Sequence, residues 1–237
     1  SKTDWSWTAF FSDFDNDSEK DLFISNGYLR DIRNKDFSKK FLAYHDSLNN
    51  PKLKPLIRTK VLDLIAQAPS VKIQNYMYRN EGKLQFDNVT RSWGMDQVGF
   101  SHGASYADLD KDGDLDLIMN NMNDPAFIYK NNAEKFDDRH YLRIKLEGNG
   151  QNLKSFGARA VVYTQGKSQM AELTNVRGYM STSEPVLHFG LGRAKVIDSM
   201  VVRWPSGTTI KKYKVEADQL LVLKEKEAKS QTKEALS

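Results

Sequence analysis

Apolar positions along the chain change their period twice, and the changes divide it into four zones. The first zone, to about Leu29, holds "WTAFFSDFDNDSEKDLFISNGY", which predicts a strand, an acidic loop and a second strand. From about Asp31 to Pro69 the spacing becomes helical. Phe37, Phe41, His45 and Leu48 recur on one face before the Asn49-Asn50-Pro51 stop, and Leu53, Leu56, Ile57, Val61, Leu64 and Ile65 repeat that spacing up to Ala68-Pro69. This predicts two antiparallel helices, a hairpin inserted between β elements. From Val71 to Asn132 strand texture returns. "NYMYRNEG" and "LQFDNVT" predict a β-hairpin around Glu81-Gly82, and "SHGASYADLD", "LDLIMNNM" and "AFIYKN" surround a second acidic loop. These short strands have the content of one four-stranded propeller blade. The fourth zone, from about His140 to Lys224, carries seven short apolar or alternating runs punctuated by Gly, Asn and Pro, the pattern of a compact sandwich or barrel. The closing "KEKEAKSQTKEALS" is charged, which predicts disorder or a frayed helix.

The two acidic loops share one spacing. In Asp13-Phe14-Asp15-Asn16-Asp17-Ser18-Glu19-Lys20-Asp21 and in Asp108-Leu109-Asp110-Lys111-Asp112-Gly113-Asp114-Leu115-Asp116, Asp stands at positions 1, 3, 5 and 9 and Leu follows at position 10. Calcium wants six to eight oxygens at roughly 2.3–2.6 Å, and short Asp side chains at alternate positions of a tight loop converge on one centre. Asp13, Asp15, Asp17 and Asp21 are therefore candidate ligands, with the backbone carbonyl of Glu19 at position 7. Asp108, Asp110, Asp112 and Asp116 form the second set, with the carbonyl of Asp114. Position 6 calls for a left-handed backbone, which Gly113 adopts freely; Ser18 stands there in the first loop. An EF-hand would require Glu at position 12, where Ile24 and Met119 stand instead. Two like charges at ~4 Å repel by about 1 kcal/mol even in water, so a tight loop of carboxylates calls for a cation.

Composition narrows the classes. The chain has 237 residues, 39% hydrophobic and 28% charged, within the globular range and long enough for one large domain or two ordinary ones. It lacks a run of about 18 apolar residues, so no transmembrane helix is expected. The absence of cysteine excludes disulfides and thiolate zinc sites. Between Arg30 and Lys72, ten Lys and Arg residues face four Asp, an excess larger than the whole chain's +4. No nucleic-acid motif accompanies that excess, so it reads as a solvated helical face and no nucleic-acid partner is expected. The opening strand begins in mid-motif, and the chain is read as part of something longer.

The segment "GFSHGASYADLDKDGDLDLIMNN" closely resembles the FG-GAP or VCBS repeat of integrin-alpha-type β-propellers, and the first loop with "DLFISNGY" looks like a second copy. "FGARAVVY" (156–163), "VRGYMSTSEPVLHFGLG" (176–192) and "VVRWPSG" (201–207) resemble the ASPIC/UnbV domain. The resemblance implies a mainly β chain: a partial propeller of about two blades with a helical hairpin insertion, then a β-sandwich or barrel-like domain. The corresponding boundaries are a partial blade at 1–30, the insertion at 31–70, a blade at 71–137, the second β domain at 138–225 and a charged tail at 226–237. It further implies Ca2+ in the turns and an extracytoplasmic setting, as in VCBS-repeat proteins of Bacteroidetes envelopes associated with glycan uptake. The implied role is a binding or scaffold module whose partner is a glycan or an envelope protein. A carbohydrate-active enzyme, with its site on further blades or at the domain junction, is the alternative.

No catalytic residue is expected. His45, His102, His140 and His188 lie in different elements, and no Ser/His/Asp set, phosphate loop or HExxH occurs. Carboxylates bound to calcium are poor acids. Of the tryptophans, Trp204 is expected to pack at a strand end, while Trp5 and Trp7 share one face of a strand and could stack on a ligand.

Overall fold

The structure is a computed structural model that describes residues 3, 5–31, 34–45 and 54–230. Strands β1 (Ser6–Ser12) and β2 (Asp21–Asn26) flank the first acidic loop and pair antiparallel, with Phe10 opposite Phe23. Alternation along β1 buries Thr8, Phe10 and Ser12 and leaves Phe11 exposed. Helices α1 (Lys35–His45) and α2 (Lys54–Ala66) follow and pack on each other. The chain then makes β3 (Ile73–Gln74), β4 (Tyr76–Asn80) and β5 (Phe86–Asn88). After β6 (Val98–Gly99) come β7 (Ser101–Ala107), β8 (Asp116–Asn121) and β9 (Phe127–Tyr129), with the second acidic loop between β7 and β8.

Three antiparallel sheets result: one of four strands in the order β1-β2-β4-β5, one of three in the order β7-β8-β9, and the two-stranded pair β3-β6. Phe10, Phe23 and Met77 of the first and Ala104, Leu117 and Met119 of the second share one core. The two loop-bearing hairpins have the same register. Ser12 opposes Asp21 and Ala107 opposes Asp116, and each hairpin has its irregularity at the equivalent place, between Ser6 and Ala9 or between Ser101 and Ala104.

The second half contains β10 (His140–Glu147), β11 (Arg159–Thr164), β12 (Lys167–Glu172), β13 (Val186–Gly192), β14 (Val196–Arg203), β15 (Thr208–Glu216), β16 (Gln219–Lys224) and β17 (Lys229–Ser230). They form a three-stranded sheet, β13-β10-β16, and a five-stranded sheet, β12-β11-β14-β15-β17. Leu142, Ile144 and Phe189 of the first and Val162, Met200 and Val202 of the second lie in one core. All seven strands expected from His140 to Lys224 are present, and no sheet among the described residues closes into a barrel. Trp204 is buried just after β14, its indole N–H donating to Ser155 Oγ at 3.0 Å.

Three placements differ from the sequence reading. The β4–β5 hairpin, grouped by sequence with the second loop, pairs with β2 and completes the first sheet. The helical pair accordingly interrupts one sheet instead of separating two, because α1 and α2 lie between β2 and β4. Periodicity identifies strands but not which neighbour each one pairs with. The charged tail is ordered at its start, where β17 pairs with β15 through Thr208 and Thr209. Leu48, Asn49, Asn50, Pro51 and Leu53 fall outside the described residues, as do the side chains of His45, Leu56 and Ile57.

Candidate metal-binding loops at the joint between the two halves

The two loops adopt one backbone conformation. Position 4 is left-handed in both, at Asn16 (φ 56) and Lys111 (φ 66), and so is position 6, at Ser18 (φ 81) and Gly113 (φ 97). Ser18 takes the conformation that glycine favours, at a cost of roughly 1–2 kcal/mol, so the hydrogen bonds of the loop must hold it there. Two around position 6 recur in both loops, and the first loop adds bonds from Asp17 N–H to Asp13 and Asp15. Position 6 N–H donates to the first carboxylate, Ser18 to Asp13 at 2.8 Å and Gly113 to Asp108 at 3.2 Å. Position 7 N–H donates to the third, Glu19 to Asp17 at 2.8 Å and Asp114 to Asp112 at 3.4 Å.

The carboxylates at positions 1, 3 and 5 converge. One oxygen each from Asp13, Asp15 and Asp17 lie within 4.8 Å of one another, and Asp108, Asp110 and Asp112 do the same. Asp21 and Asp116 at position 9 are not in these groups. Asp21 accepts the N–H of Phe14 and of Asn80, both at 3.0 Å, while Asp116 accepts those of Leu109 at 2.9 Å and Asn131 at 2.8 Å. Position 9 therefore closes the loop and ties it to the end of a neighbouring strand. The Glu19 side chain faces Lys167 at 3.3 Å. The Asp114 carboxylate gathers with Asp112 and Glu134.

Charge is handled differently in the two loops. Burial pushes the Asp13 carboxyl well above its ordinary range, and Asp17, Asp15 and Asp21 push it further. Asp15 rises to about 6, mainly through burial and then Asp17. Asp21 rises to about 7 through burial, which the backbone N–H groups of Asn80 and Phe14 oppose and the Asp15 and Asp17 charges reinforce. In the second loop, Lys130 Nζ meets Asp110 Oδ2 and lies 3.1 Å from Asp112 Oδ2, which holds the Asp110 carboxyl below its usual range. Burial raises Asp108, and Arg143, with Nη1 2.6 Å from Asp108 Oδ2, opposes it. Asp108 Oδ1 remains buried without a hydrogen-bond partner. That free oxygen, the all-oxygen donor set and the shared left-handed turns fit a hard cation such as calcium.

Both loops rest on the β13–β10 face of the second half. Gly190 of β13 lies against Asp13, so close that a Cβ there would come within 1.9 Å of Asp13 Oδ2. The Tyr141 ring of β10 covers Gly113 in the same way, also 1.9 Å from where a Cβ would be. Gly192 N–H donates to Asn16 O at 2.9 Å. The buried Asn16 side chain joins all three parts: its Oδ1 meets His188 Nε2 at 2.7 Å and its amide donates to Gly113 O at 3.2 Å. Burial, with Arg143 nearby, drops His188 to about 3, so it is neutral and donates through Nε2. Arg143 completes the joint by bridging Asp108 and Glu184, its Nη2 lying 2.5 Å from Glu184 Oε2.

None of Asn16, Tyr141, Arg143, His188 and Gly190 is visible from sequence as part of the loops' surroundings. Asn16 carries the one available signal, a residue type that tolerates left-handed backbone. His188 is half-buried in β13 and bonds the first loop. His140 meets Asp218 at 2.7 Å. His102 packs on Trp7 with centroids 4.4 Å apart and the rings tilted by 41°, and Trp5, Tyr28 and Tyr179 extend the cluster. Beside both loops a cleft of about 560 Å³ is lined by Phe14, Trp93, Tyr129, Arg79, Lys130 and Arg139.

Residues 148–230 match the ASPIC and UnbV family model. That span takes in β11 to β17, while β10, which supplies Tyr141 and Arg143, precedes it. The chain is also similar to cartilage acidic protein 1 of Mus musculus, 26% identical over 207 residues, 86% of this chain and 26% of the relative. The Homo sapiens protein of that name is 25% identical over the same share of this chain, and the Xenopus tropicalis one is 31% identical over 113 residues, 46% of this chain. The chain spans about a quarter of the length of the mouse and human relatives. An alignment of 207 residues extends well past the family-matched segment into the loop-bearing half.

Proposed function

We propose that the chain is a calcium-dependent recognition or scaffold module working outside the cytoplasm. In it, one ion per acidic loop fixes the loop-bearing sheets onto the sandwich. The observation that carries this reading is the repetition: two loops with one register, one pair of left-handed positions and the same carboxylate bonds from the N–H of positions 2, 6 and 7, each gathering three Asp oxygens within 4.8 Å. The two sheets then correspond to FG-GAP-type blades, the first completed by β4 and β5. An extracellular setting suits such sites, since extracellular calcium modules bind with Kd of about 10⁻⁴–10⁻³ M. The relatives' name, which refers to cartilage, agrees with it.

We expect recognition without turnover, because the carboxylates that gather among the described residues sit in or beside the two loops. The cleft beside the loops, with aromatic rings and three cationic side chains, suits an anionic glycan or an acidic protein segment. Calcium titration by calorimetry tests the reading. The full chain should bind at least two ions, and Asp15→Asn and Asp110→Asn should each remove one. A chain that takes up no calcium, or loop variants that bind as many ions as the parent, would refute it.

A further inference from the structure

The Asp114 side chain is left unexplained by the nine-residue loop, which uses only the backbone of position 7. Asp114 is fully buried, yet its Oδ1 has no hydrogen-bond partner. Its other oxygen accepts the N–H of Glu134 at 3.2 Å, at the 3-10 turn Ala133–Lys135. That bond ties the turn to the loop and sets two carboxylates side by side. One oxygen each from Asp112, Asp114 and Glu134 lie within 4.8 Å of one another, and Glu134 itself is exposed. A buried carboxylate oxygen without a donor is costly, and two further carboxylates beside it deepen the negative potential.

We propose that Asp112, Asp114 and Glu134 form a second cation site beside the second loop, bridged to the loop's own site by Asp112. The donors are all carboxylate oxygens, which select a hard divalent cation, and the exposed Glu134 leaves coordination positions open to water. Lys130, 3.1 Å from Asp112 Oδ2, is a competitor for the shared carboxylate, with its side chain 56% exposed. With three protein donors and open water positions, this site is weaker than those of the loops and fills after them.

The inference rests on the calcium reading of the second loop, because Asp112 serves both sites. Calorimetric titration of the full chain with calcium alone, carried into the millimolar range, separates the two. The parent should bind three ions, the last of them weakly, and Glu134→Gln should lose that weak ion while keeping the other two. Asp114→Asn should lose the same ion, but its buried position can compromise folding; Glu134→Gln, at an exposed residue, keeps the test decisive. If parent and Glu134→Gln both bind two ions, a proton shared by Asp114 and Glu134 holds the pair, the proposal is overturned and the loops stand. If the parent binds none, both readings fall together.

Discussion

Replacing Asn16 with Ala tests the joint between the two halves at its most connected point. Asn16 is 2% exposed, has φ 56, and links His188 Nε2 to Gly113 O. Truncation leaves a buried N–H and a buried carbonyl without partners, each worth about 1–3 kcal/mol. It also puts Ala where only Gly, Asn and Asp sit comfortably, for about 1 kcal/mol more. The expected loss is about 3–7 kcal/mol, the upper end applying where no water reaches the site. Urea unfolding in saturating calcium measures it, with far-UV dichroism and tryptophan fluorescence followed together to establish a single transition. A double-mutant cycle with His188→Ala isolates the link and should return a coupling energy of about 1–3 kcal/mol. A loss below about 1 kcal/mol with no coupling would refute the claim that Asn16 holds the first loop to β13.

Two further outcomes follow from charge. In EGTA, stability should fall by about 1–2 kcal/mol as pH rises from 6.5 to 8. Burial raises Asp21 to about 7 and, with Asp112 and Glu134 adding to it, Asp114 to about 8. Both groups therefore hold protons in the folded state that the unfolded chain releases near pH 4, and their stabilisation is lost as pH climbs through the folded values. His188, at about 3 when folded and about 6.5 when unfolded, works in the opposite direction: the unfolded imidazole sheds its proton across this window, returning about 0.4 kcal/mol, less than the carboxylates lose. Saturating calcium should flatten the pH dependence, and a flat profile in EGTA would contradict the account. Lys130→Gln should tighten calcium binding at the second loop about two- to fivefold, because its exposed ammonium competes for Asp110 and Asp112; unchanged affinity would show that the lysine swings clear without cost.

Strand positions were legible because alternation is a local property: the seven runs from "YLRIKLEG" to "LLVLKE" are β10 to β16. The two loops were legible because Asp recurs at the same four positions in both. Pairing was not legible. Nothing in "NYMYRNEG" says that β4 lies beside β2 across a helical insertion, since register across such a separation depends on tertiary packing. Ser18 stands where Gly113 does in the second loop, and both are left-handed, because four carboxylate-to-backbone bonds shape the first loop regardless of the residue at position 6. The seating of both loops on the sandwich was hidden as well. Gly190 reads as an ordinary strand glycine until Asp13 is placed against it.

Thermal unfolding of the full chain in excess calcium and in EGTA tests the central claim most directly. An ion at ~100 times its Kd adds about 2.7 kcal/mol per site, because the unfolded chain has no preformed loop. Two sites in a chain of this size correspond to a rise in Tm of about 10–20 °C. The account predicts a shift of that order, carried by both halves as one transition because the loops sit on the β13–β10 face. Superimposable melting curves with and without calcium would contradict it.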